Sequence, residues 1–459
     1  MRIAYLSPLP PMRSGIADYS AELLPELARH LEVELIVPAG FRPAAEVAAG
    51  FAVRSEAELP ALLAGGHYDA ALYHLGNNRD YHASIYSALL EHPGVVMLHE
   101  LVLHHLVRDL TLYAGDPEGY ARELRYAYGR SGEALARRCL ATSIPLDPWR
   151  YPLFERVVDR SLGMLVHNDY CRSRLLASRP LARVATVPHH LSLGDGPLPE
   201  REAARAALGI PPAAFAVASF GFLTAAKRPQ VLLRAFARFR REAPQACLLL
   251  VGEVSPHYDF ASLIEGELAG LMAGVTVTGR LEKREFLLYM AAADLAVNLR
   301  HPTGGETSGT LIRLLGLGKP VIVSRTGAFA EIPEDCCAQV DLDDTEEELL
   351  LAYLRRLAAD EPLRRQMADN ARRYAASHHS LAASARLYAE FLRQTAAERP
   401  APFAALPPLA PYPEVDVFSD LLLSVSAELS DLGISEADDE ALGAVAAAMV
   451  ELGLDEAGR

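Results

Sequence analysis

The sequence predicts an α/β protein made of two doubly wound, Rossmann-like halves with a small helical appendage at the end of the chain. Three observations carry this. Short apolar runs of strand length alternate with helical segments in two similar series, one on either side of residue 195. A Pro-rich stretch, RPAPFAALPPLAPYP at 399–413, is stiff and suited to a linker. Beyond it, residues 414–459 combine helical apolar spacing with acidic outer faces. At 459 residues and 51% hydrophobic, the chain can bury two or three domain cores.

The first series opens with RIAYLSPLPPMRSGIADYSAELLPELARHLEVELIVP, which reads as strand, glycine-containing loop, helix and strand. Leu23, Leu24, Leu27 and Leu31 recur at helical spacing between the two apolar runs. YDAALYHLG, GVVMLHE, GMLVHN and VATVPH supply further strands. Parallel sheets with helices on both faces need this alternation. The second series runs FAVASFGFL, a helix from Gln230 to Arg240, ACLLLVGE, VTVTGRL, a helix through Leu287 to Ala293, LAVNLR, a helix from about Thr310, and PVIVS. The expected domains are 1–195, 196–375, a helix at 376–398 packing back toward the first half, the linker 399–413 and an acidic helical appendage at 414–459. Ligands of such folds bind at the carboxyl edges of the strands.

Charge and cysteine usage exclude several classes. The net charge is −15, but residues 414–459 hold 12 acidic side chains and one Arg, leaving the body nearly balanced. Nucleic acid is excluded as a principal ligand, since it demands a concentrated basic surface. Between Arg122 and Arg183 arginines outnumber acids about two to one, which suits a solvated helical face or, as the alternative, an anionic lipid or acceptor. The five cysteines lack any C-x-x-C spacing and fit free thiols in a reducing compartment. With no run of about 18 apolar residues and no signal-peptide pattern, the expected location is the cytoplasm, with peripheral contact at the inner face of the membrane as the further expectation. The acidic tail is a candidate for mediating oligomerisation.

HELVLHH at 99–105 invites a zinc reading. A zinc-protease helix needs two His four residues apart, whereas Leu103 stands at that position and His104 is rotated about 140° from His99. No metal site is expected.

GETSGTLIRLLGLGKPVIVS at 305–324 carries more. Gly304 and Gly305 permit a tight turn, and Thr307 or Ser308 can cap a helix with Leu311, Leu314 and Leu315 inward. The amides of Thr307, Ser308, Gly309 and Thr310 then lie at a positive helix end that suits phosphate. A hydrolase elbow needs Ser midway between its glycines, and a P-loop needs Ser or Thr where Pro320 stands.

Taken together, PPMRSGIADYSAELL, HLGNNRDYHASIY, HPGVVMLHELVLHHL, GFLTAAKRPQVLLRAF, VTGRLEKREF and GETSGTLIRLLGLGKPVIVS resemble the retaining GT-B glycosyltransferases of family 4, over roughly residues 1 to 395. The resemblance implies a hexose-type transfer from a UDP-, GDP- or ADP-sugar to a hydroxyl acceptor, a glycan or lipid-linked one, without metal or cofactor. It also implies glycan or cell-envelope polysaccharide synthesis. The alternatives are a retaining phosphorylase of the same fold and a non-catalytic glycan- or partner-binding protein.

The resemblance assigns roles residue by residue. Lys227 matches the lysine on the donor diphosphate; it is one of only three lysines against 41 arginines, and follows a strand's glycine-containing end. His99, past GVVML, matches a histidine facing the transferred sugar, through its ring or its backbone carbonyl. His104 and His105 are structural or acceptor-facing. Gly15 matches the glycine of the first loop, and Arg280 with Leu281 the segment that meets the nucleotide base. Glu306 matches the first glutamate of an E-x7-E motif, displaced by one residue. Arg313 stands in for the second glutamate and cannot accept a ribose hydroxyl. Phe222 occupies the place of the family's arginine, so Arg313 or Arg228 is expected to supply the missing charge at the diphosphate. On a continuous helix Glu306 and Arg313 would share one face, bracketing a donor or forming a structural ion pair.

Overall fold

The structure is a computed structural model; it describes residues 1–194, 196, 198–266, 268–398, 400–402, 425 and 438–451. Its body comprises Met1–Leu110 and Asp147–Ala404, while Thr111–Leu146 belong, with the end of the chain, to a second unit. The body holds two parallel sheets.

The first sheet contains β1 (Arg2–Leu6), β2 (Glu32–Val37), β3 (Ala52–Ser55), β4 (Ala70–Leu75), β5 (Val95–Leu98), β6 (Gly163–Val166) and β7 (Val184–Thr186), in the order β3-β2-β1-β4-β5-β6-β7. Strand β1 pairs with β2 on one side (Tyr5 opposite Leu35) and β4 on the other (Tyr5 opposite Leu72). The direction of winding reverses between β1 and β4, so the loops after these strands diverge and leave a crevice at their carboxyl ends. Ile3 to Leu6 are completely buried, as a central strand covered on both faces requires.

The second sheet contains β8 (Ala216–Phe220), β9 (Cys247–Val251), β10 (Val275–Val277), β11 (Leu295–Asn298), β12 (Val321–Ser324) and β13 (Ala338–Val340), in the order β10-β9-β8-β11-β12-β13. Its switch point lies between β8 and β11. Alternate residues of β8 serve opposite faces: Ala216, Ala218 and Phe220 join the cluster of Leu287, Met290, Leu311 and Leu315, and Val217 joins that of Phe236, Phe239, Leu350 and Leu354. Arg205 is completely buried and bonded to Asp294, to the Ala292 carbonyl and to the Ala214 carbonyl, joining the helix Arg201–Leu208 to the edge of this sheet.

The helix Gly15–Leu27 is capped by Ser14, whose hydroxyl accepts the Ile16 N–H at 3.2 Å, and buries Leu23, Leu24 and Leu27. The helix Leu381–Glu398 packs on it, placing Tyr388, Ala389 and Leu392 in the core of the first sheet, with the Tyr388 and Tyr19 hydroxyls 2.9 Å apart. Strands β3 and β13 and the helices Glu346–Ala359 and Glu361–His378 add to the reading from sequence. β3 is a half-exposed edge strand and β13 spans three residues, so neither has enough apolar signal to announce itself.

In the second unit the helix Pro117–Thr142 bends at Gly129, whose φ is 66° and ψ −146°. Its Arg-rich face is self-paired: Arg122 with Asp116, and Arg125 and Arg137 with Glu133. Of the acidic appendage, residue 425, residue 438 and the helix Asp439–Glu451 are described; the rest of it, and the linker apart from residues 400–402, lie outside the described residues. No described helix is long and apolar enough to cross a membrane.

Candidate active site

The carboxyl ends of β1, β4, β5 and β6 from the first sheet meet those of β8 and β11 from the second. Backbone and side-chain bonds close the gap: Leu101 N–H donates to the Gly304 carbonyl at 2.7 Å, and Asn168 Nδ2 donates to the Gly305 carbonyl and to Thr307 Oγ1, both at 2.9 Å. Gly305 has φ +82°, and a Cβ there would stand 2.6 Å from Cys171 Sγ, so both the turn and the contact require glycine.

Ser308 caps the helix Gly309–Gly316, its Oγ accepting the Leu311 N–H at 3.2 Å. Gly309 and Thr310 open the first turn, where backbone N–H groups have no partner within the helix. Ser308→Ala is expected to cost about 1 kcal/mol through loss of this cap, read as a lowered midpoint in thermal or urea unfolding. Because the helix starts at Gly309, Glu306 precedes it, and the shared helical face expected for Glu306 and Arg313 does not exist. Glu306 instead folds onto its own loop: it accepts the Gly304 N–H at 2.8 Å and the Thr303 hydroxyl at 3.2 Å, and lies 3.0 Å from Arg300 Nε. Arg313 reaches the first half of the body, donating to Glu22 at 2.9 Å and to the Ser192 carbonyl at 3.0 Å.

Lys227 ends a short 3-10 turn, Ala225–Lys227, after β8. Its ammonium donates to the Phe220 carbonyl at 2.5 Å and packs against Gly221, where a Cβ would fall 2.6 Å from Nζ. Gly221 also has φ +88°, so it is glycine for two reasons. His301 N–H donates to the Ala226 carbonyl at 2.7 Å, tying the β8 turn to the β11 loop. Burial, and after it the neighbouring Arg300, hold the Lys227 ammonium well below its usual range. The positive charge beside Lys227 therefore comes from Arg300, not from the residues expected. Arg228 is turned away into a bidentate ion pair with Glu346, and Arg313 is spent on Glu22.

His99 stands directly past β5, with both ring nitrogens engaged. Its Nε2 is 3.0 Å from His74 Nδ1 and its Nδ1 is 3.2 Å from His167 Nε2. His167 Nδ1 faces the Val187 carbonyl at 2.9 Å and must carry a proton. That fixes the chain: neutral His167 accepts from His99 Nδ1–H, and His99 Nε2 accepts from His74 Nδ1–H, leaving His74 Nε2 buried without a partner. The imidazole is thus committed to the protein, with both ring nitrogens engaged. His104 bonds the Tyr151 carbonyl, far from any shared ion with His99. Among the described residues no three His, Cys, Asp or Glu side chains converge as a metal-binding group.

Gly15 begins its helix, and a Cβ there would meet nothing within 4 Å. Arg280 is exposed just after Gly279 at the end of β10, with Leu281 half-buried against the core. Glu22 is the main residue the sequence reading passed over. It joins His190 (3.1 Å), Lys283 (2.5 Å) and Arg313 (2.9 Å), and these partners outweigh its burial to hold its carboxyl at about 2.

Comparison with known proteins gives this geometry a context. Residues 200–374 match the family described as glycosyl transferases group 1. The D-inositol 3-phosphate glycosyltransferase of Segniliparus rotundus is 30% identical over 189 residues; that match covers 40% of this chain and 41% of the relative's length. Among solved structures, sucrose-phosphate synthase from Thermosynechococcus elongatus is 17% identical with a TM-score of 0.60, covering 87% of this chain and all of that one. Anabaena HepE in complex with UDP and glucose is also 17% identical, with a TM-score of 0.58, covering 86% of this chain and all of that one. The fold is GT-B.

Proposed function

We propose that the chain is a retaining glycosyltransferase of the family-4 type, moving a hexose-type sugar from a nucleotide sugar to a glycan or lipid-linked hydroxyl in polysaccharide synthesis. The observation that carries this is the convergence of Lys227, Arg300 and Glu306 with the free first-turn amides of the helix Gly309–Gly316 at the switch point of the second sheet.

In this reading the donor diphosphate lies against the Lys227 ammonium and the amides of Gly309 and Thr310. Charge that builds on the departing phosphate meets groups already in place, which is where such sites gain most. The Glu306 carboxylate, held by Arg300, accepts hydroxyls of the sugar. The His99 carbonyl faces the anomeric carbon as it gains positive character, and the histidine chain behind it keeps the residue fixed. The departing phosphate takes the acceptor's proton on the same face of the sugar, so no separate protein base is required. The contacts Leu101–Gly304 and Asn168–Gly305 close the cleft against water, which would otherwise compete as acceptor. Arg280, Leu281 and Gly15 line the nucleotide and loop sides, and UDP is the first nucleotide to test, with GDP and ADP beside it. The proposed location is the cytoplasm with peripheral contact at the inner face of the membrane, and the acidic tail is the proposed element for oligomerisation.

The test is to incubate the protein with UDP-, GDP- and ADP-hexoses and hydroxyl acceptors and to follow the anomeric protons by NMR. One donor should yield a glycoside of the donor's own anomeric configuration plus nucleoside diphosphate. An inverted product contradicts retention, and glycoside cleavage that needs inorganic phosphate but no nucleotide identifies a phosphorylase instead.

A further inference from the structure

The cleft holds a second carboxyl, next to His99, that the mechanism above leaves unused. Glu100 Oε1 accepts the backbone N–H of Asn77 at 2.9 Å. Two glycines keep the space around it: a Cβ on Gly76 would lie 3.4 Å from Glu100 Oε1, and one on Gly304 would lie 3.6 Å from Glu100 Oε2. The same point on Gly304 is 3.3 Å from Glu306 Oε2, so the two carboxyls face one another across a residue with no side chain. One carboxyl comes from the β5 end of the first sheet and the other from the β11 loop of the second.

Two ionised carboxylates facing one another in a closed cleft repel, and the proton settles on the less supported of the two. Glu306 is supported by Arg300, the Gly304 N–H and the Thr303 hydroxyl. Glu100 has the Asn77 N–H and a weaker pull from Arg300, which pairs with Glu306; burial, with Glu306 adding to it, pushes its carboxyl up to about 7. The remaining titratable groups around it are the Cys171 thiol, which burial holds protonated, and His99, His82 beside Gly76, and His105 through the Asn77 side chain, all kept neutral by burial.

We propose that Glu100 is a sugar-binding residue working in its protonated form, donating a hydrogen bond to one hydroxyl oxygen of the transferred sugar while Glu306 accepts from another. A carboxylic acid and a carboxylate side by side are complementary to a pair of sugar hydroxyls, each of which is both donor and acceptor. Two carboxylates would offer acceptors only. This rests on the transferase reading and adds to it the recognition of the sugar.

The test measures, from pH 6.5 to 8.5, the affinity for the nucleotide sugar that binds, starting with UDP-glucose, in the native protein and in Glu100→Gln and Glu100→Ala. Over that range the native protein should lose affinity about five- to twentyfold more than Glu100→Gln, because Glu100 ionises on top of the Lys227 titration that both proteins share. Glu100→Gln keeps an N–H donor and should bind three- to tenfold more weakly at pH 6.5. Glu100→Ala should bind poorly throughout. The free nucleoside diphosphate, titrated at pH 7.5, should bind all three alike. A loss of affinity no steeper in the native protein than in Glu100→Gln overturns the role of Glu100. Failure of every nucleoside diphosphate to bind overturns the transferase reading beneath it.

Discussion

Lys227→Ala should lower turnover of the nucleotide sugar about 10²- to 10³-fold, the range seen when one preorganised stabiliser of a developing anion is removed. Affinity for the nucleoside diphosphate should fall by about 1.5–3 kcal/mol, the worth of a hydrogen bond to a charged group. The fold should survive loss of the Lys227–Phe220 bond, because the backbone bonds Lys227 to Thr224 and His301 to Ala226 remain to hold the turn. Two companions sharpen the result. Gly221→Ala should mimic the loss, since its Cβ would fall 2.6 Å from Nζ on a backbone at φ +88°. Lys227→Arg keeps the charge but not the compact ammonium that fits over Gly221, and should recover only part of the activity. Burial lowers the affinity of Lys227 for its proton in the unliganded cleft, so diphosphate binding should be accompanied by proton uptake. Calorimetry in buffers of different ionisation enthalpy reads that uptake. A Lys227→Ala protein with native affinity and turnover would remove the residue from the site.

Mild acid should destabilise the protein through its buried histidines. Burial is the first cause that depresses His74, His99, His167 and His189, with neighbouring histidines next; His167 is lowered to about 4 and the other three lie well below their usual value. In the unfolded chain these groups take up protons near pH 6.5. Below that pH the unfolded state binds more protons than the folded one, so stability is present above 6.5 and is lost as pH falls toward the folded values. At pH 5.5 each such histidine therefore disfavours the folded state. Glu100 works in the opposite direction, since its raised carboxyl binds a proton in the folded state first, and offsets about 2 kcal/mol of this. His82 and His104, lowered to about 4 by burial, add to the same trend, so the histidines outweigh Glu100 and the net effect between pH 7.5 and 5.5 is a loss of stability. Glu22, held at about 2, keeps its contribution throughout this window. The melting temperature at pH 5.5 should therefore lie clearly below that at 7.5; equal values would contradict a neutral, buried histidine chain.

What the sequence disclosed, and what it hid, follow from how local each feature is. Strands β1, β4, β5, β8, β9, β11 and β12 are apolar runs buried on both faces, and such runs stand out in any window. The edge strand β3 does not, because Val53 is 39% exposed and its four residues look like loop. In the cleft, Lys227, Ser308, Glu306 and His99 were legible because each lies just past an apolar run, where a strand's carboxyl end had to be. Arg300 was passed over although it lies in the same loop as Glu306; nothing local says that it turns toward Lys227. The partnership of Arg313 with Glu22 joins residues 291 apart and belongs to tertiary structure alone. The histidine chain is likewise assembled from three strand ends, which engages both ring nitrogens of His99, where the resemblance left ring and backbone carbonyl open.

The most direct measurement of the central claim is calorimetric titration of the native protein at pH 7.5 with UDP, GDP and ADP. Saturable binding of one nucleoside diphosphate at a single site, weakened in Lys227→Ala, is the predicted result. Absence of binding by all three to a protein shown to be folded would contradict a nucleotide-sugar site at the β8–β11 edge.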